Sequence, residues 1–400
     1  VNRVLATVVV LSIILALFGE RTAAALEHNF AGSAQLDYHY VPSEPGAIAA
    51  PGPATTYRGF TLEAAVKVAV DFSEHLSANL KLCYGCHGVE LDMAYFDARA
   101  SDELVLRVGR FSPSFGAFNL RHDPANHVAS DKPLPYDMGR MLRKQDWNNG
   151  VLPSPFPANG AEINGSAAVG ETGQVDYAVY AVTTFENYVD PNPTDLAFQE
   201  SHQPPYVNVG VRPAFGTRLG ATIGKGSSTA LTLGSSAMLG TYDKNDNFTY
   251  VIAGADATLR IYRTTIRAEY LVRRQQFDTS NPEIFRYALA DTRNDFFTKH
   301  GAYVEIEQGV TRQLTGFVRG DGMLRQGNVA NVALGSGSAN IVNSALIFQS
   351  TVVRETLGLS YALQRNFMLK GSVELWTFNY PDAAGRETEF SFHLGAVGSF

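Results

Sequence analysis

The stretch most able to do chemistry is Cys83-Tyr84-Gly85-Cys86-His87-Gly88, which holds both cysteines of the 400-residue chain. The order Cys-x-x-Cys-His is the attachment signature of c-type haem. Two thiols three positions apart reach the two vinyl groups of a porphyrin, and the adjacent imidazole reaches its iron. Haem c is therefore a candidate cofactor, with Cys83 and Cys86 as thioether anchors and His87 as proximal iron ligand. His122, His127, Met138 and Met141, on a long later connection, are candidates for the distal position. Two other chemistries fit the same residues. One is a tight Cys83–Cys86 disulfide, allowed in an oxidising compartment. The other is metal capture by two thiols and an imidazole. A haem-bearing chain would be an electron-transfer component working with a cytochrome partner, because one haem cannot bridge a membrane about 30 Å thick.

The elements around the motif are strands rather than the helix that carries it in soluble cytochromes. Successive side chains of a strand face opposite sides. Phe60, Leu62, Ala64, Val66, Val68, Val70 and Phe72 form one such face, against Thr61, Glu63, Lys67, Asp71 and Ser73. Phe390, Phe392, Leu394, Ala396 and Phe400 alternate in the same way with Glu389, Ser391 and His393. Apolar faces of about ten residues suffice for a tilted strand to cross hydrocarbon. Connections alternate between short and long, as 73–78 does with 112–160. Charged residues make up only 18%, while Gly reaches 36, Phe 24 and Tyr 18. That is less charge than the roughly 25% of soluble domains. A net charge of -7 argues against a nucleic-acid partner.

These patterns predict an all-β fold, a transmembrane antiparallel barrel of about sixteen strands, within roughly fourteen to eighteen. Strands are expected near 31–40, 59–73, 77–85, 88–98, 103–112, 160–170, 174–185, 205–215, 229–241, 247–261, 264–277, 297–309, 312–326, 347–361, 365–379 and 386–400. The Gly- and Ser-rich segment 216–236 is the weak point of this count. Asn2-Arg3, the apolar run Val4 to Phe18 and Thr22-Ala23-Ala24-Ala25 have the order of a signal peptide over residues 1–25. The barrel then occupies 26–400 and lies in the bacterial outer membrane, with outer-membrane lipid around it. An aromatic end to an alternating last strand suits that location.

The polar faces of such a barrel line water. Candidate pore-lining residues are Lys67, Lys81, Glu90, Asp92, Arg107, Arg267, Glu269, Arg273, Glu305, Glu307, Arg319 and Asp321. Both signs are interspersed, with no one-sided basic ladder of the kind that sets anion preference. The connection 113–160 is too long and too rich in aromatics for an unstructured loop. It is expected to fold, either into the pore as a constriction or over the barrel as a cap.

Three segments carry a resemblance: SANLKL at 77–82, VELDMAYFDAR at 89–99 and VLRVGRFSPSF at 105–115. They resemble the front half of the phosphate-selective porin O/P family. That resemblance implies a sixteen-stranded outer-membrane porin, often a homotrimer. The family's anion-binding ladder of lysine and arginine is not recognisable, so phosphate selectivity does not follow. The chain is expected to pass small hydrophilic solutes by diffusion and not to be an enzyme, since no nucleophile elbow or zinc-protease motif occurs. Besides the redox barrel, the alternative is a structural or adhesive surface barrel with a Cys83–Cys86 disulfide.

Overall fold

Long alternating segments can satisfy every backbone group only by pairing side by side, and a sheet that closes on itself leaves no edge. The chain takes that solution. A computed structural model describes residues 27–40, 59–85, 88–137, 150–152, 154–183, 212–242, 246–276, 287–289, 295–327, 329–331, 351–380 and 385–400. Its strands are β1 (Glu27–Tyr40), β2 (Gly59–Ser73), β3 (Leu76–Gly85), β4 (Gly88–Ser101), β5 (Leu104–Phe111), β6 (Ala158–Val169), β7 (Gly173–Val182), β8 (Ala214–Ile223) and β9 (Thr229–Thr241). They continue with β10 (Thr249–Ile261), β11 (Thr264–Gln276), β12 (Tyr287–Leu289), β13 (Phe296–Gly309), β14 (Leu314–Gly327), β15 (Val329–Asn331), β16 (Thr351–Gln364), β17 (Phe367–Tyr380) and β18 (Gly385–Ser399). β12 and β15 pair only with each other. The other sixteen form one closed antiparallel barrel in which β1 meets β18.

The seam is set by Leu36 opposite Ala396 and His39 opposite His393. Beyond the last strand, Gly32 and Phe400 exchange backbone hydrogen bonds of 3.0 Å in both directions. Because cross-strand partners share a face, this register sends every apolar set outward together. Leu62, Val108, Val179, Leu239, Val304 and Leu357 are all exposed on the outer wall. No helix among the described residues is long and apolar enough to cross a membrane. Short turns join β2 to β3, β4 to β5 and β10 to β11 at one end, hereafter the turn end.

One strand lies elsewhere than its alternation suggests. Instead of 205–215, β8 occupies Ala214–Ile223, inside the Gly-rich segment; residues 205–211 lie outside the described residues. The glycines are part of the strand. Gly216 faces inward beneath the Tyr180 ring, where any Cβ would collide with it. The expected signal peptide, residues 1–25, also lies outside the described residues.

Candidate functional site: the lumen and its inward segment

The connection from β5 to β6 enters the barrel. Ser114 starts it, its backbone N–H and hydroxyl both donating to Glu162 at 2.9 and 3.0 Å. Gly116 then takes φ +67, a conformation that L side chains rarely adopt, and a Cβ there would strike the Tyr136 hydroxyl. This lets the Gly116 N–H reach Ser236 Oγ at 3.0 Å. The next two N–H groups, of Ala117 and Phe118, donate to Glu269 at 2.8 and 3.2 Å. The hydroxyls of Tyr136 and Tyr303 donate to the same carboxylate. Four donors on one buried carboxylate make Glu269 the anchor of the segment.

Three short 3-10 turns follow, Asn119–Arg121, Pro124–Asn126 and Leu134–Tyr136. Phe115, Phe118, Tyr136, Val151 and Leu152 of the connection are buried, and they pack with Tyr180, Met238, Ile252 and Leu271 of the wall. That gives the barrel an apolar core on one side, which an open channel would lack.

The opposite side is held by charge. Asp131 of the inward segment accepts from Arg319 Nη2 at 2.8 Å and pairs with Arg354. Asp321 lies beneath, 2.8 Å from Arg319 Nε and 3.0 Å from Arg354 Nε. Arg354 also donates to the Lys132 carbonyl at 2.6 Å and lies over the Trp376 ring at 4.9 Å. All four charged side chains of this lock are buried. Lys370 Nζ donates to the carbonyls of Pro124 and Ala129 at 2.7 and 3.0 Å. Lys81 bridges Asp123 of the segment at 2.6 Å and Asp92 of β4 at 2.9 Å.

Two histidines of the segment are sealed in with it. His127 Nδ1 lies 2.9 Å from the Ala129 carbonyl. Burial, and then Lys370, Arg121 and Lys132, hold it well below the usual histidine range. His122 is lowered first by burial and then by Lys81, although Asp123 and Asp92 oppose the shift. Both imidazoles are therefore neutral at pH 7. For Asp123, burial pushes upward, but His122 and Lys81 outweigh it and hold the carboxyl below its ordinary value.

All twelve residues expected to line the pore lie on barrel strands. Their surroundings differ. Lys81, Asp92, Glu269, Arg273, Glu305, Arg319 and Asp321 are buried under the inward segment. Lys67, Glu90, Arg107, Arg267 and Glu307 are only partly buried. Arg107 pairs with Asp97 at 2.8 Å and stacks on Tyr95 at 4.3 Å, while Arg267 pairs with Glu307. Below the segment, toward the turn end, Arg107, Ser114, Leu120, Glu162, Asp176 and Arg218 line a cavity of about 610 Å³.

Cys83 faces the lumen from β3, its thiol 3.5 Å from Asp92 Oδ2. Cys86, His87, Met138 and Met141 lie outside the described residues. Among the described residues no group of three or more His, Cys, Asp or Glu side chains is placed to hold a metal. Sequence reasoning missed Asp131, Glu162 and Arg354. Arg354 has the inward parity of Val352 and Thr356, a signal present in the alternation of β16. Asp131, in an irregular loop, has no such signal.

No family model and no curated protein matches the sequence. Solved structures do. The outer membrane channel DcaP of Acinetobacter baumannii superposes with a TM-score of 0.57 at 12% identity, covering 96% of this chain and 99% of that one. The fold is that of outer-membrane porins. The anion-selective porin from Comamonas acidovorans gives a TM-score of 0.56 at 10% identity, with 94% and 100% covered. OmpF of Salmonella typhi gives 0.54 at 9%, with 93% and 97% covered.

Proposed function

We propose that the chain is a porin of the bacterial outer membrane through which small polar solutes diffuse, its rate set by the inward segment. The observation that carries this reading is the two-faced wall. An outer belt of exposed apolar residues suits lipid, and an inner face of charged and hydroxyl groups suits water. Strands of 14 residues, as in β13, β14, β16 and β17, reach about 45 Å along their axis at about 3.3 Å per residue. Even when tilted they cross the hydrocarbon layer. The inward segment packs against the inner wall and takes up part of the lumen, which favours small solutes over large ones. Purified protein in a planar lipid bilayer should give stepwise conductance. A barrel that inserts and stays silent refutes the reading.

A covalent haem c at Cys83, Cys86 and His87 is a second proposal, supported by the motif alone. Protein from a host with working haem-attachment machinery should then stain for peroxidase activity on a denaturing gel. Without stain, the Cys83–Cys86 disulfide is tested by thiol titration before and after reduction.

A further inference from the structure

A charged side chain on the outer wall of a membrane barrel is costly while it faces hydrocarbon, so it points to a partner that covers it. The outward row of β16 runs Val353, Glu355, Leu357, Leu359, Tyr361 and Leu363, and the exposed Glu355 is its charged member. Directly opposite stand Gly320 on β14 and Leu375 on β17. A Cβ on Gly320 would meet open space. The carboxylate therefore stands in an outward hollow of about 520 Å³, walled by Val304, Val318, Leu357, Leu375 and Phe390. Among the described residues no hydrogen bond or ion pair engages Glu355. An apolar hollow with one acid suits a side chain with a long apolar stem and a cationic head.

The chain displays such a side chain itself. Arg274 on β11 has the outward parity of Tyr270 and Val272 and is exposed between the buried Arg273 and Gln275. Its guanidinium lies 3.7 Å over the Phe296 ring, and among the described residues no acid pairs with it. Going beyond the channel reading, we infer that the outer face from β11 to β16 binds a second copy of this chain in a ring of three, with Glu355 of one copy paired to Arg274 of the next. Height agrees with this pairing. Each residue stands roughly 30 Å along its strand from the turn end, at Thr264 or Gln364, at about 3.3 Å per residue. An axis along the membrane normal keeps all copies at one depth, so only groups of equal height can meet. Direction agrees as well. β11 and β16 are three positions apart in the barrel order, about 68° of the circumference. In a closed ring of three, each barrel meets its neighbours in directions about 60° apart, against about 90° in a ring of four. In a two-fold pair both groups would stand about 34° to either side of the contact line, where the curved walls diverge. Between them β13 and β14 turn Ala302, Gly316, Gly320 and Gly322 outward, a low surface that lets neighbouring walls approach.

The test uses the full chain in mild detergent, with light scattering to measure assembly and heat-modifiable gel mobility to check folding. Wild type should be a trimer. Glu355→Arg and Arg274→Glu should each lower the trimer fraction at least about fivefold, and the double reversal should restore it to within about twofold of wild type. In a Cys83→Ser, Cys86→Ser background, Glu355→Cys combined with Arg274→Cys should give disulfide-linked chains on oxidation. Within one barrel the two sites are more than about 14 Å apart, too far for a disulfide. If a reversal variant fails to fold, the cysteine pair decides alone, and its failure to link chains overturns the interface. Folded single reversals that stay trimeric overturn the ion pair, as does a double reversal without rescue. A monomer, dimer or tetramer in wild type overturns the ring of three. Loss of bound outer-membrane lipid in Glu355→Arg, with assembly unchanged, overturns the interface and gives the hollow to a lipid headgroup.

Discussion

The two sides of the lumen follow the same alternation and end in opposite states. On the wall from β13 through β14, β16, β17 and β18 to β1, most of the inward polar residues named above are dry. Glu305, Arg319, Arg354, Lys370, Glu374 and Gln35 are all buried. On the wall from β5 to β11, at the turn end, Arg107, Asn164, Asp176, Arg218 and Arg267 keep contact with water. Strand pattern alone cannot separate them, because both walls place charged and hydroxyl groups inward. The inward segment decides the difference by laying its 3-10 turns on one wall and leaving the lower half of the other free. A buried charge must be matched almost fully, whereas a hydrated one need not be. The dry wall accordingly carries a connected lock, and the wet wall carries separate pairs such as Asp97–Arg107 and Arg218–Asp256.

The comparison breaks most visibly if the lock is opened. Asp131→Ala leaves Arg319 and Arg354 buried beside one fewer carboxylate, a change of about 3–5 kcal/mol against the seated segment. Trypsin should then cleave the segment rapidly in the folded barrel, and mean conductance should rise. Protection equal to wild type would show that the dry wall is not held by charge. Next in size is Glu269→Ala, which strands four donors on the apolar side. It should weaken seating by about 2–4 kcal/mol, read by the same protease assay.

A smaller effect comes from pH. The seated forms of His122 and His127 have values below the ordinary 6.5. Below that value the unseated segment binds more protons than the seated one. Seating is therefore fully stable above about pH 6.5 and weakens as pH falls below it. Protease protection should drop between pH 7.5 and 5, and His127→Gln should flatten the profile. The smallest expected effect is on the wet wall. Asp97→Ala breaks a partly exposed pair worth up to about 1 kcal/mol, and protease protection should stay at the wild-type level. A loss as large as that of Asp131→Ala would erase the distinction between the walls.

Much of the fold is legible residue by residue. The alternation of Phe60 to Phe72 predicts β2 with its observed ends, and sixteen barrel strands were expected and sixteen close. The error at β8 is informative. Phe215, Leu219 and Ile223 point outward, but Gly216 and Gly220 between them remove the polar inward signal on which alternation depends. The site is less legible. Inward parity marks Glu269 and Arg319, yet parity is equally true of Arg107, which remains partly hydrated. Asp131 belongs to a segment without period, so its partners on β14 and β16 have no local cue.

By itself the sequence determined the barrel, its strand count and the face of each strand, because a period of two is a local property that pairing merely propagates. It also carries the Cys83-Tyr84-Gly85-Cys86-His87 motif, whose spacing leaves haem, disulfide and metal chemistry open. Only the tertiary structure decided which inward charges are locked and which are wet. The physical reason is reach. Asp131 and Arg354 are separated by more than two hundred residues of chain, and their pairing exists only once the barrel has closed around the segment that carries Asp131.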